Sequence, residues 1–198
     1  GQSEIILGGV NEVLWPQRDD KGNITGFQVK PFLKDWHGEI GESGVLADFT
    51  GDGIADFVAP TTKGLVPMIF EGDQNGLFSK PGRVAANIPR LAIPSVLTAG
   101  DIDGDGDLDL WLTQYRGAYS GGQMPTPYYD ANDGHPSYLL VNDGKGNFTD
   151  HTKEAGLAER RLRRTYASSL VDLDGDHDLD LLVVSDFSGA DLYENDGK

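Results

Sequence analysis

Apolar residues along this chain come in short runs, and clusters of Gly, Asp, Asn and Pro bound each run. Val96 to Gly100, Leu108 to Gln114, Tyr138 to Val141 and Phe148 to Thr152 are such runs, too short for stable helices and punctuated as strands are. The stretch Leu179-Asp-Leu-Leu-Val-Val184 is apolar at nearly every position. A strand with one wet face alternates, so an unbroken run predicts a strand covered on both faces by neighbouring sheets. No run approaches the length of a membrane span, and direct membrane insertion is not expected.

The same order of elements recurs. Asp48-Phe-Thr-Gly-Asp-Gly-Ile-Ala-Asp56, Asp101-Ile-Asp-Gly-Asp-Gly-Asp-Leu-Asp109 and Asp172-Leu-Asp-Gly-Asp-His-Asp-Leu-Asp180 superimpose, their starts 53 and then 71 residues apart. A second marker, Asn142-Asp-Gly-Lys-Gly-Asn-Phe148, has a looser counterpart in Gly72 to Phe78, and the next Asp loop begins 24 and 23 residues after these two Phe. The unequal spacing therefore falls at residues 113–137, which read as an insertion rich in Tyr and Pro. Leu14 to Phe27 and Leu192 to Lys198 resemble the same hairpin, so the chain is expected to begin and end inside repeats.

Each unit predicts four short strands, and radial stacking of such units makes a β-propeller of roughly four to eight blades. The expected fold is all-β, a partial propeller of four-stranded blades with about three blades present. The blades divide the chain into the end of a preceding blade (1–35), a blade with the first Asp loop (36–90), a blade with the second loop and the insertion (91–160), and an incomplete blade with the third loop (161–198).

Composition sharpens this picture through charge. The 198 residues carry a formal net charge of −16, which argues against nucleic acid as a partner. Of 32 acidic residues, 13 lie in the three Asp loops. Carboxylates so crowded repel one another unless a cation neutralises them. In each loop, side-chain oxygens fall at positions one, three, five and nine, with Gly at position four. Asp48, Thr50, Asp52 and Asp56, then Asp101, Asp103, Asp105 and Asp109, then Asp172, Asp174, Asp176 and Asp180 are the expected side-chain ligands. Ile54, Asp107 and Asp178, at position seven, would offer carbonyl oxygens. Such all-oxygen cages suit three Ca²⁺ ions better than Mg²⁺, which keeps more of its water. An EF-hand would place a Glu at position twelve, where Ala59, Leu112 and Val183 stand instead. Thr50 removes one charge from the first site, and His177 occupies the place of Gly53 and Gly106, where a left-handed backbone is expected.

The loops resemble the FG-GAP/VCBS repeats of integrin α-subunit propellers and bacterial secreted proteins. The middle unit, with Tyr138-Leu-Leu-Val-Asn-Asp-Gly-Lys-Gly-Asn-Phe-Thr-Asp150 and Glu154-Ala-Gly-Leu157, is similar to the cartilage acidic protein (ASPIC/UnbV-type) group. The resemblance implies about seven blades in the full ring, calcium on one rim, and adhesion or ligand contact elsewhere.

Other chemistry is sparse. There is no Cys, no Gly-rich phosphate loop, no nucleophile elbow and no zinc helix. Tyr115, Arg116, Tyr119, Tyr128 and Tyr129 in the insertion suit a protein or glycan surface, or a loop that covers its own blade edge. Arg160, Arg161, Arg163 and Arg164 read as a solvated loop balancing nearby acid, and His37 beside Trp36 as packing. The first function reading is a non-catalytic, calcium-binding module for binding, adhesion or scaffolding of a protein, a glycan or a larger assembly. It belongs outside the cytosol (extracellular, cell-surface or periplasmic), where calcium is abundant. The alternative is a polysaccharide lyase or hydrolase whose active site lies in loops or blades beyond this sequence.

Overall fold

The computed structural model describes residues 5–7, 10–33, 36, 40–41, 43–61, 65–119 and 124–197. They form four antiparallel sheets in which neighbours in sequence are neighbours in space. The first holds β1 (Ile5–Leu7), β2 (Glu12–Arg18) and β3 (Ile24–Pro31). The second holds β4 (Val45–Ala47), β5 (Asp56–Pro60), β6 (Pro67–Phe70) and β7 (Arg83–Val84). The third holds β8 (Pro94–Gly100), β9 (Asp109–Gln114), β10 (Tyr138–Asn142) and β11 (Phe148–Asp150). The fourth holds β12 (Arg164–Val171), β13 (Asp180–Asp186) and β14 (Gly189–Tyr193). The protein is all-β, as its pattern of short runs predicts.

The unbroken apolar runs become the second strands. Every residue of β5 and of β9 is buried. Alternation along the strand sends successive side chains to opposite faces, and each face has its own core. Leu110 and Leu112 of β9 pack with Val58 and Ile69 of the second sheet, while Trp111 packs with Leu181 and Val183 of the fourth. In β5, Val58 joins the core shared with the third sheet, and Phe57 and Ala59 join Val13 and Phe32 of the first. Each sheet is thus the lid of its neighbour's core, and burying a side chain such as Leu112 contributes about 1.5–3 kcal/mol.

The sheets are also tied at their inner and outer edges. Leu97 N donates to Ser43 Oγ at 3.0 Å, and Thr98 Oγ1 meets Ser168 Oγ at 2.7 Å, which sets β4, β8 and β12 side by side. At the outer edge the parallel bridges Leu33↔Phe78 and Ala86↔Phe148 repeat one contact between successive sheets. By this register β1 to β3 correspond to the three outer strands of a four-stranded sheet, and β12 to β14 to the three inner ones. Sheets fanned about their first strands are the arrangement of propeller blades.

One boundary moves. Thr113 and Gln114 belong to β9, so the insertion proper starts at Tyr115. Both are fully buried: Thr113 Oγ1 meets Ser95 Oγ at 3.0 Å, and Gln114 bonds Ala92 N and Pro136 O at 2.6 Å each. Polar side chains with partners can be buried at little loss, so the strand keeps the full run to Gln114 and the insertion is shorter by two residues.

Because the core at Leu112 has no wet side, Leu112→Ala is expected to lower unfolding free energy by about 2–5 kcal/mol. Leu162→Ala, at a position 37% exposed, is expected to change it by less than about 0.5 kcal/mol in the same urea titration.

Candidate metal centres

The three Asp loops connect first to second strands, at 48–56, 101–109 and 172–180, and share a common core of bonds, from position six to one, seven to five and two to nine. The position-one carboxylate gathers backbone N–H groups from the tip. Asp48 accepts from Gly51 N (2.8 Å) and Gly53 N (2.7 Å), Asp101 from Asp105 N (3.1 Å) and Gly106 N (3.0 Å), and Asp172 from Gly175 N (2.7 Å) and His177 N (3.2 Å). The position-five carboxylate caps position seven, as Asp105 does by accepting from Asp107 N at 2.9 Å. These bonds need a left-handed backbone at position six, where Gly53, Gly106 and His177 have φ of 83°, 95° and 82°. His177 is there for its backbone, as the sequence suggests, and its N–H does the work of a glycine's.

Position nine is the buried member. Asp56, Asp109 and Asp180 are at most 1% exposed. One oxygen accepts from the loop's own start, at Phe49 N (3.0 Å), Ile102 N (2.9 Å) and Leu173 N (2.8 Å). The other accepts from the third strand's end, at Gly72 N (3.1 Å), Asn142 N (2.8 Å) and Asn195 N (2.9 Å).

Carboxylate oxygens converge as a result. Those of Asp101, Asp103 and Asp109 lie within 4.8 Å of one another, and so do those of Asp172, Asp174 and Asp176. Burial lifts Asp109 to about 6, against the pull of the Asn142 and Ile102 N–H groups, with Asp103 and Asp105 adding repulsion. Burial and the charges of Asp105, Asp101, Asp103 and Asp143 push Asp107 up as well. In the third loop the N–H groups of Asn195 and Leu173 hold Asp180 below the usual carboxylate range. Like charges crowded this way gain most from a cation. In the first loop, Thr50 Oγ1 is buried without a hydrogen-bond partner, at the position that Asp103 and Asp174 fill in the other two. The donors are all oxygen, which fits a hard divalent cation and not a soft one. The side chains of Asp107 and Asp178 lie instead against Gly144 and Gly197, so position seven has its carbonyl to offer.

Two residues central to this end of the molecule carry no acid and escaped the loop comparison. Asn142 Nδ2 donates to Phe49 O (2.9 Å) in the previous sheet's loop and to Leu108 O (3.1 Å) in its own. Asn195 repeats the pair with Ile102 O (2.8 Å) and Leu179 O (3.3 Å). Each pins one Asp loop to the next sheet. The signal was the Asn that precedes Asp-Gly in both hairpins; the second sheet has Gly72 there, where a Cβ would lie 2.2 Å from Ala55 O. Arg83 adds a clamp, donating to Lys145 O (2.6 Å), Gly146 O (3.1 Å) and Asn147 Oδ1 (2.7 Å) of the next hairpin.

The opposite end corrects two expectations. Arg163 and Arg164 are not solvated, being 3% and 2% exposed. Arg163 pairs with Asp130 (2.6 Å) and Asp191 (3.0 Å), and Arg164 forks onto Asp133 (2.9 and 2.8 Å). The insertion supplies Asp130 and Asp133, so it docks on the fourth sheet and does not merely cover its own blade edge. His37 lies outside the described residues.

A family model described as an FG-GAP-like repeat matches residues 48–112, from the first Asp loop through the second and into β9. No curated protein matches. Among 24 matching solved chains is a lectin of Agrocybe aegerita, whose structure concerns specific recognition of non-reducing terminal N-acetylglucosamine. It is 19% identical, the match covers 95% of this chain and 48% of the lectin, and the TM-score is 0.48. The chain spans about half that lectin's length.

Removal of the buried pin Asn142 leaves Phe49 O and Leu108 O without their partner. Asn142→Ala is expected to lower unfolding free energy by about 1–3 kcal/mol. Asn195→Ala, at a less buried site, is expected to cost less in the same urea titration. Residues 48–112 thus match the FG-GAP-like repeat, and the chain has an all-β fold of propeller-like blades.

Proposed function

We propose that this chain is a calcium-stabilised, non-catalytic binding or scaffold module that works outside the cytosol. The observation that carries the reading is the threefold repetition of one loop. Each has the same carboxylate-to-backbone bonds, and two of them bring three carboxylates together within 4.8 Å. The unpartnered Thr50 Oγ1 supports a ligand at the first loop as well. Calcium would be held by Asp48, Thr50, Asp52 and Asp56, by Asp101, Asp103, Asp105 and Asp109, and by Asp172, Asp174, Asp176 and Asp180, with Ile54, Asp107 and Asp178 giving carbonyls. Mg²⁺ is the poorer fit, since crowded carboxylates leave little place for its retained waters.

The role of the ion is structural. When bound, it neutralises the repulsion among the loop carboxylates and so holds the loops that Asn142 and Asn195 tie to the neighbouring sheets. A cation that binds the folded chain alone stabilises it, by about 2.7 kcal/mol per site at a concentration 100 times Kd. Millimolar calcium meets that condition at a Kd of about 10 μM, which favours an extracellular, cell-surface or periplasmic setting. Rigid sheets with ordered loop ends then serve to present a surface to a protein or glycan partner.

Titration calorimetry on the chelator-treated protein is expected to find about three calcium ions per chain, and saturating calcium should raise the melting midpoint by more than about 10 °C. Asp103→Asn should remove one site from the stoichiometry. The first loop, one carboxylate poorer, should release its ion at the lowest chelator concentration. A melting midpoint indifferent to calcium and chelator would overturn the reading.

A further inference from the structure

The end of the molecule opposite the Asp loops carries an aromatic surface that neither the blades nor the cation loops require. Tyr115 and Tyr166 stack with ring centroids 4.9 Å apart. Both phenols donate to Asp186 Oδ2, at 3.0 and 3.3 Å. Phe187 follows directly in the chain, and Tyr128 lies against its ring at 5.7 Å. Tyr129 is next to Tyr128. The two groups make a strip from β12 across the turn between β13 and β14 to the insertion: Tyr115, Tyr166 and Asp186 are joined by hydrogen bonds, Phe187 and Tyr128 by ring contact, and Asp186 and Phe187 are adjacent at that turn. Its outer members are open to solvent, with Tyr128 62%, Tyr129 82% and Tyr166 57% exposed.

The strip is built and held. Phe187 sits at φ 63°, a left-handed conformation that a bulky residue adopts only under constraint. The constraint is visible: Arg164 lies over its ring at 5.7 Å, and Ala131 N donates to its carbonyl at 3.5 Å. Arg163 and Arg164 in turn lock the insertion through Asp130 and Asp133. An aromatic surface on so anchored a frame loses little conformational entropy when it binds.

Charge separates the two ends. The cation-loop end is crowded with carboxylates, whereas here Asp130, Asp133, Asp150 and Asp191 are each paired with an arginine. Among the described residues of this end, the paired charges form no patch of one sign that would select for a strongly charged polymer. Flat phenol rings offer a stacking face to an apolar plane. Asp186 Oδ1 takes no hydrogen bond from a described residue and is left to accept from hydroxyls, as are the phenol oxygens. A partner that is uncharged, flat and apolar on one side, and edged with hydroxyl groups, is a pyranose.

We propose that the strip Tyr115–Tyr166–Asp186–Phe187–Tyr128 is a binding site for an uncharged oligosaccharide. Sugar rings stack on Tyr166 and Tyr128, and their hydroxyls bond to Asp186 and the phenol oxygens. This deepens the reading of the chain as a binding module by naming its partner class, and it does not depend on the identity of the cation.

The test is calorimetry on the full chain in saturating calcium. The uncharged probes are cellohexaose, chitohexaose, mannohexaose and xylohexaose, with hexagalacturonate and a heparin hexasaccharide as charged counter-probes. At least one uncharged hexasaccharide is expected to bind with Kd between about 10 μM and 1 mM. Tyr166→Ala and Tyr128→Ala should each weaken it by about tenfold or more, and Tyr166→Phe by less. Tyr129→Ala, at a ring too exposed to matter for folding, should also weaken it without moving the melting midpoint. The proposal is overturned if no uncharged probe binds at about 5 mM, if only charged probes bind, or if binding survives the tyrosine substitutions in folded variants. Saccharide binding that persists in a chain with no calcium response would sink the calcium reading and leave this one standing.

Discussion

The constraint on which this structure depends is the crowding of carboxylates around backbone N–H groups. Each Asp loop closes only because aspartates at positions one, five and nine accept main-chain bonds, and the same bonds bring their charges together. In the second loop burial and mutual repulsion lift Asp109 to about 6. Three loops thus concentrate the chain's negative charge at one end of an otherwise well-buried fold.

Those loops are not isolated ornaments. Asn142 and Asn195 tie the first two to the following sheets, and the buried aspartates at position nine tie all three to their own third strands. Order in either of these two loops is thus shared by two sheets. Between the loops and the far end lie cores that no sheet owns alone: Leu110 and Trp111 are adjacent in β9 yet belong to different cores. Stability in this architecture is shared between neighbours, as in other repeat proteins.

Much of this was legible in the sequence, for physical reasons. The spacing of side-chain oxygens at positions one, three, five and nine marks the loops because a tight turn sends alternate residues inward. The apolar runs mark β5 and β9 because only a doubly covered strand lacks a wet face; β13 carries the same run, but it lies in the last sheet and Val184 on its outer face is 39% exposed. His177 was readable as a backbone feature from its place in the register. What stayed hidden involved polar groups whose partners lie far along the chain. Thr113 and Gln114 fall both in the run that ends at Gln114 and in the inserted stretch 113–137, and only their bonds to Ser95, Ala92 and Pro136 decide for the strand. Arg163 and Arg164 look solvated until the insertion brings Asp130 and Asp133 over them. The aromatic strip is assembled from β12, β13 and the insertion, and no local pattern announces such a meeting.

The most direct measurement is anomalous X-ray diffraction from crystals grown in calcium. Three anomalous peaks, each about 2.3–2.6 Å from carboxylate oxygens of the 48–56, 101–109 and 172–180 loops, are the predicted result. Well-ordered loops with no peak among their aspartates would contradict the account.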